Sequence, residues 1–305
     1  MDRKQLRTLL AVAEHRSFSG AAAALGTVQS NVSAHVRRLE DELGVELIDR
    51  STTEPTEEGR VVLDRARRIE GEFDSLASDL AYLRDVVVGT VRLGAIGTTA
   101  RWLVPKLLRA VWSEYPEVRV IVLDAPSSAL ITGITSRSLD LAVVNLPIEH
   151  PDIDVEPLFT EDRVLIAPEG HPLHDLEEVG LAELAEHELL LEARGTSFRD
   201  VLDTAAEEVG VTLRARAEFD GMRLLTSLAF AGFGAGVVPA SAIPSGMDGP
   251  WRIVPVVGVP LRRVGLIRAH RAMPSAAARA IGEVTARVVR ESTDHAPGIV
   301  PEQLP

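Results

Sequence analysis

An all-helical N-terminal unit, one long helix and a two-part α/β domain are the architecture this sequence predicts. Three observations carry that reading. Residues 1–60 break into short helical stretches around a glycine turn, residues 62–83 repeat apolar side chains at spacings of four and three, and strand-like and helix-like segments alternate beyond Gly89. The length of 305 residues fits two or three domains.

The first helix, residues 2–16, places Leu6, Leu9, Leu10 and Ala13 on one side. Ser17-Phe18-Ser19 interrupts it, with Ser19 in the N-cap role for a short helix over 20–25. Four alanines, Ala21 to Ala24, let another helix approach closely. Gly26 supplies the turn and Thr27 the cap for a third helix over 28–42. Val32, Val36, Leu39 and Leu43 form its apolar stripe, while Gln29, Ser30, Ser33, Ala34 and Arg37 share another face. This is a helix-turn-helix with amide and hydroxyl groups near the start of its last helix. Such groups reach base edges in a major groove, and Gln bonds adenine in bidentate fashion. The rival reading is a small helical domain whose polar face is merely solvated.

The next helix repeats Val62, Ala66, Ile69, Phe73, Leu76, Leu80 and Leu83, which reads as a coiled-coil seam. The rival is a helix packed on its own C-terminal domain. Val86-Val87-Val88-Gly89 ends the rod as a hinge. A first βα series then runs over 91–96, 99–115, 118–123, 128–137 and 139–144. A second runs from 164 to 267, and a closing helix covers 275–291. This order predicts a largely parallel sheet. The polar, proline-containing end, residues 293–305, reads as a loose tail.

Composition narrows the function. Zero cysteines exclude disulfides, thiolate nucleophiles and thiol redox sensing. With 46% apolar residues the chain can bury real cores, and the absence of a leader or long apolar run makes a cytoplasmic protein without membrane contact the expectation. The net charge of −13 opposes nucleic acid, but residues 1–60 hold 8 basic and 10 acidic side chains, leaving −11 beyond them. A DNA-binding surface must therefore be local and N-terminal. Lys4 and Lys106 are the sole lysines, so arginine supplies the positive charge.

Several strings resemble the LysR-type transcriptional regulators. In the N-terminal unit these are Ser17-Phe18-Ser19-Gly20-Ala21-Ala22, Gln29-Ser30-Asn31-Val32-Ser33, Arg37-Arg38-Leu39-Glu40-Asp41-Glu42-Leu43-Gly44 and Leu47-Ile48-Asp49-Arg50. Further on, Leu103-Val104-Pro105, Tyr115-Pro116-Glu117-Val118, Leu139-Asp140-Leu141-Ala142, His171-Pro172-Leu173 and residues 232–239 sit where that family carries similar strings, and the likeness extends to about residue 290. It implies a winged helix-turn-helix over 1–58, a dimerising linker helix and hinge over 59–88, and an effector domain over 89–292. That domain would have two lobes like a periplasmic binding protein, lobe I over about 89–163 and 269–292 and lobe II over about 164–268. The chain departs from the family at Ile48, where an aromatic is usual, and at Ala34, where a basic residue is usual. Its wing segment, residues 51–56, is short, lacks a basic residue and gains Glu54.

The expected DNA contacts are Gln29, Ser30 and Ser33 to bases, with Arg37, Arg38 and Arg50 toward phosphates. The resemblance places polar effector contacts at Thr98 and Thr99, Ser127 and Ser128, and Thr196 and Ser197. Asn145 faces the same crevice in this reading, and Phe198 is either an apolar wall or a core residue. Helix N-termini at the carboxyl ends of strands suit an anion, so a small carboxylate is the expected effector. Each of these hydroxyls also reads as an ordinary N-cap, and Arg101 and Arg194 read as surface residues, with neutralisation of a carboxylate as their alternative role. His171, His174 and Asp175 lack metal-site geometry because proline breaks the helix they would need. No nucleophile elbow, Walker string or HExxH helix is present, so neither cofactor, metal nor enzymatic activity is expected. The reading is a metabolite-controlled DNA-binding regulator, active as a homodimer or homotetramer on double-stranded DNA. The alternative is a small-molecule-binding or enzymatic α/β domain fused to a helix-turn-helix.

Overall fold

Capping residues set the first helices. The structure, a computed structural model, describes residues 1–302 except 84, 85, 245, 271, 272, 294 and 295. Asp2 accepts from the Gln5 amide at 2.8 Å, the Gln5 side chain accepts from the Asp2 amide, and α1 (Arg3–His15) follows. Helix α2 (Phe18–Ala24) is capped by Ser17 rather than Ser19. Ser19 instead donates to Gln29 Oε1 at 3.3 Å. Helix α3 (Gln29–Leu43) has Val28 at its cap position with no side-chain cap. Thr27, expected to cap it, accepts from Asn31 Nδ2 at 3.1 Å instead. Leu9, Val12, Val32, Val36, Leu39, Leu47 and Ile48 form the core of this unit, and the wing is held by one bridge between Ile48 and Pro55.

Helix α4 (Glu57–Tyr82) serves three neighbours. Leu63 and Ala66 complete the N-terminal core, with Val62 packed against it. The first two seam positions therefore belong to the N-terminal unit itself, the reader in the helix-turn-helix expectation. Ile69, Phe73, Leu76, Leu80 and Leu83 remain exposed, Leu83 at 80%. A different side of α4 meets the C-terminal domain: Ser78 Oγ and Asp79 Oδ1 accept from the amides of Ala277 and Ala276, and Arg68 donates to the carbonyls of Thr135 and Ser136. One face of the helix is thus packed on its own C-terminal domain, and the apolar residues from Ile69 onward lie on another.

In the C-terminal domain the elements run β1 (Gly89–Ala95), α5 (Gly97–Glu114), β2 (Val118–Asp124), α6 (Ser127–Thr135), β3 (Leu141–Leu146), β4 (Ile153–Glu161) and β5 (Arg163–Pro168). There follow β6 (Val179–Gly180), α7 (Leu181–Ala185), β7 (Glu188–Glu192), α8 (Ser197–Glu208), β8 (Arg214–Phe219), α9 (Met222–Phe230) and β9 (Gly236–Pro239). A 3₁₀ turn (Ala240–Ala242), β10 (Trp251–Val257), β11 (Arg262–Ala269), α10 (Ala276–Thr293) and β12 (Ile299–Pro301) complete the chain. Among the described residues these build two six-stranded sheets, ordered β12-β4-β11-β3-β1-β2 and β6-β10-β5-β9-β7-β8. None of the described helices is long and apolar enough to cross a membrane.

Three expectations need correction. The sheets are mixed rather than largely parallel, because β11 and β10 return antiparallel to their neighbours. Residues 262–268 belong to lobe I: the chain crosses back at Arg262, where β11 pairs with β3 and β4. The end is not wholly loose. Ile299, Val300 and Pro301 pair with Glu161, Thr160 and Phe159 of β4, and Glu302 binds Arg263.

Gly59 lets α4 seat on the reader, since a Cβ there would stand 2.0 Å from the Leu47 carbonyl oxygen. Gly59→Ala is expected to destabilise the N-terminal unit by roughly 1–3 kcal/mol, as overpacking does. Urea unfolding followed by circular dichroism measures this, and an unchanged midpoint would contradict so tight a seat.

Candidate DNA-reading face and interlobe cleft

At the first candidate site, α3 presents Gln29, Ser30, Arg37 and Arg38 as exposed residues, with Ser33 and Ala34 half-buried. Among the described residues Arg37 and Arg38 make no ion pair, so their charge faces solvent. Gln29 is steadied by Ser19, leaving its amide donor free for a base edge. Arg50, expected at a phosphate, is engaged within the chain. Its guanidinium binds the Glu40 carboxylate and lies 5.0 Å from the Phe18 ring centroid. Glu40, 9% exposed, also accepts from the amides of Leu47 and Ile48 at 2.9 and 3.3 Å. Arg50 thus closes a buried carboxylate at the base of the wing, because leaving such a charge unpaired is costly. Glu54 on the wing stands 3.8 Å from Arg16, both side chains being exposed.

At the second, the two lobes are joined by two crossings, from Glu161 to Arg163 and from Val257 to Arg262. The helix starts of α5, α6, α8 and α9 follow the carboxyl ends of strands, as an anion-receiving crevice requires. Arg262, 9% exposed, gathers several expected residues there. Its Nε donates to Asn145 Oδ1 at 2.8 Å, and its Nη1 donates to Thr98 Oγ1 at 3.2 Å and Glu161 Oε1 at 2.6 Å. Ser127 Oγ accepts from the Asn145 amide at 3.2 Å. Thr196 caps α8 and donates to Glu192 Oε2 at 3.1 Å. Burial raises the Glu192 carboxyl above its ordinary pKa, against the opposing pull of the Thr196 hydrogen bond and the Arg262 charge. Arg223 at the start of α9 pairs with Asp124 at the end of β2 at 2.6 Å, bridging the lobes.

The remaining expected residues divide. Thr99 is fully buried, and its Oγ1 has no hydrogen-bond partner among the described residues. Phe198, 9% exposed, packs into the core of lobe II rather than standing as an open wall. Ser128 and Ser197 are exposed and are not drawn into the Arg262 network. Arg101 and Arg194 are exposed, the latter 4.0 Å from Glu218. Sequence reasoning missed Glu161, Glu192 and Arg262. Strand alternation is the signal for Arg262, since in β11 it points oppositely to its exposed neighbour Arg263.

Comparison with known proteins matches both parts of the chain. Residues 3–60 match the bacterial regulatory helix-turn-helix protein, lysR family, and residues 84–290 match the LysR substrate binding domain. A probable hydrogen peroxide-inducible genes activator of Mycobacterium leprae is 32% identical over 298 residues, covering 95% of this chain and 94% of that protein. The fold resembles a full-length OxyR variant from Pseudomonas aeruginosa at a TM-score of 0.74 and 24% identity, covering 100% and 99% of the two chains. It also resembles full-length CbnR complexed with its target DNA, at 0.72 and 24% identity, covering 96% and 100%.

Because Glu192 has a raised pKa, its folded form gains from protonation, and that gain is lost as pH rises through the folded pKa. Glu192→Gln removes the charge while keeping an acceptor for Thr196. The variant should melt higher than the parent above the folded pKa, with the difference vanishing below the ordinary Glu pKa. Melting curves across pH measure this, and a lower melting point for the variant at neutral pH would contradict the assignment.

Proposed function

The chain belongs to the LysR family of bacterial DNA-binding transcriptional regulators, and from that premise we propose how its own residues read DNA and sense an effector. Gln29, Ser30 and Ser33 contact bases in the major groove, while Arg37 and Arg38 contact phosphates. Arg50 acts behind them, fixing the wing through Glu40. The observation that carries this reading is the α3 face itself: exposed amide, hydroxyl and unpaired guanidinium groups on one helix, in a chain otherwise strongly acidic.

Two copies pair through Ile69, Phe73, Leu76, Leu80 and Leu83, five exposed apolar residues at seam spacing along α4 and its C-cap. Pairing sets two α3 helices against two half-sites, which suits a palindromic operator. The protein works in the cytoplasm as a homodimer, or as a homotetramer of two such dimers.

A small anion, most simply a carboxylate, binds between the lobes near Thr98, Thr99, Ser127, Asn145 and Thr196. Its response differs in chemistry from any thiol-based peroxide sensor, because this chain contains no cysteine. Effector binding favours one arrangement of the lobes, and α4, bonded to α6, α10 and the reader core, carries the change to the paired helices.

Two measurements test this reading. Duplexes selected from a randomised pool supply a cognate site. Gln29→Ala should then cost ~1–3 kcal/mol on that site and little on a scrambled duplex. Arg38→Ala should weaken both alike and flatten the salt dependence. Equal losses for Gln29→Ala on both duplexes would remove it from base readout. Separately, Phe73→Glu with Leu80→Glu should yield monomers of reduced DNA affinity in analytical ultracentrifugation and titration. A double variant that still pairs and binds DNA normally would refute the seam.

A further inference from the structure

Three arginines are buried among the described residues, and they are not equally partnered. Arg199 has Asp203 at 2.8 Å, Glu218 at 3.3 Å and the Glu192 carbonyl at 2.9 Å. Arg262 has Glu161, Asn145 and Thr98. Arg163, 5% exposed, has no carboxylate within ion-pair distance among the described residues. It donates to the Pro260 carbonyl on the return crossing, and its guanidinium lies 5.0 Å from the Phe198 ring centroid. Its Nε has no partner among the described residues.

Among the described residues the one buried carboxylate at the crossing, Glu161, is already taken. Glu161 accepts from Arg262 through Oε1 and from the Ser241 amide through Oε2 at 2.7 Å. Burial first, and the Arg262 charge second, pull the Arg163 guanidinium down to about 10, with only Glu161 opposing. Two hydroxyls border the same network without partners of their own. Ser241 Oγ belongs to the residue whose amide holds Glu161, and Thr99 Oγ1 adjoins the residue that receives Arg262. Glu192 is committed to Thr196 and biased by burial toward its neutral form. A cation buried beside another cation, with an idle donor of its own, needs an anion to complete it.

We propose that Arg163 is the residue that recognises the effector's anionic group, and that the effector is a small monoanion of the carboxylate class held by Arg163 Nε with the hydroxyls of Thr99 and Ser241. The assignment rests on the reading that the interlobe cleft takes an effector. One negative charge suffices, because Glu161 already offsets Arg262. Phe198 then acts from beneath, holding the guanidinium plane rather than touching the ligand.

The test uses the full chain with sodium formate, acetate and propionate, against sodium chloride and sodium sulfate at matched ionic strength. Calorimetry and thermal melting should show saturable binding of the carboxylates, with sulfate and chloride inactive. Arg163→Met should weaken that binding on the order of tenfold or more, the value of a hydrogen bond to a charged group, while Arg163→Lys should keep part of it. Without ligand, Arg163→Met should melt no lower than the parent, because it removes an unanswered buried charge. A much lower melting point would make Arg163 a structural cation and overturn the proposal. So would full carboxylate binding by Arg163→Met, or none by the parent. A parent chain that selects no duplex while its carboxylate binding tracks Arg163 would instead overturn the regulatory reading and leave this one standing.

Discussion

The ion pair between Glu161 and Arg262 is the constraint on which the arrangement of the two lobes rests. It joins the end of β4, where the chain leaves the first sheet, to the start of β11, where it returns. Both side chains are buried, so separating them would strand a charge in a low-dielectric site. The remaining donors of Arg262 extend the constraint outward to Thr98 at the start of α5 and Asn145 in β3. One guanidinium thus touches the hinge and the proposed effector cleft together. A ligand that competes for any of its partners acts on the hinge without an intervening relay.

The second organising element is α4. Its first turns complete the reader core, its middle and end bind α6 and α10, and its remaining face is exposed and apolar. A change at the lobes therefore meets the same rigid helix that sets the reader's position. Regulators of this kind need that economy, since a helix of 26 residues spans the distance without a flexible joint inside it.

Periodicity in the sequence suffices for much of this. The apolar stripes of α1, α3 and α4 and the alternating βα order place nearly every element, because those signals are local. Long-range pairing is what stays hidden. Glu161 and Arg262 lie 101 residues apart, and Arg262 sits beside a second arginine that faces solvent. The apolar pattern runs on through β10 and β11, which puts the return crossing at 269, and only Gly258 and Pro260 mark the true break. The three-residue β12 is hidden in a polar tail, and its order comes from the edge of β4 rather than from its own composition. Ser17 and Ser19 are chemically equivalent caps two residues apart, so the choice between them depends on how α1 ends. At the cleft, Thr98, Asn145 and Thr196 are legible as helix-start and strand-end residues. Arg163 is not, since a buried guanidinium without a carboxylate has no sequence signature.

The most direct measurement is a double-mutant cycle on Glu161→Gln and Arg262→Met, with stability read by urea unfolding. If this pair holds the crossings together, each single change costs roughly 3–5 kcal/mol, and the double change costs much less than their sum, because no charge is left stranded. Costs that simply add would show that the two residues act independently, and would contradict a shared hinge.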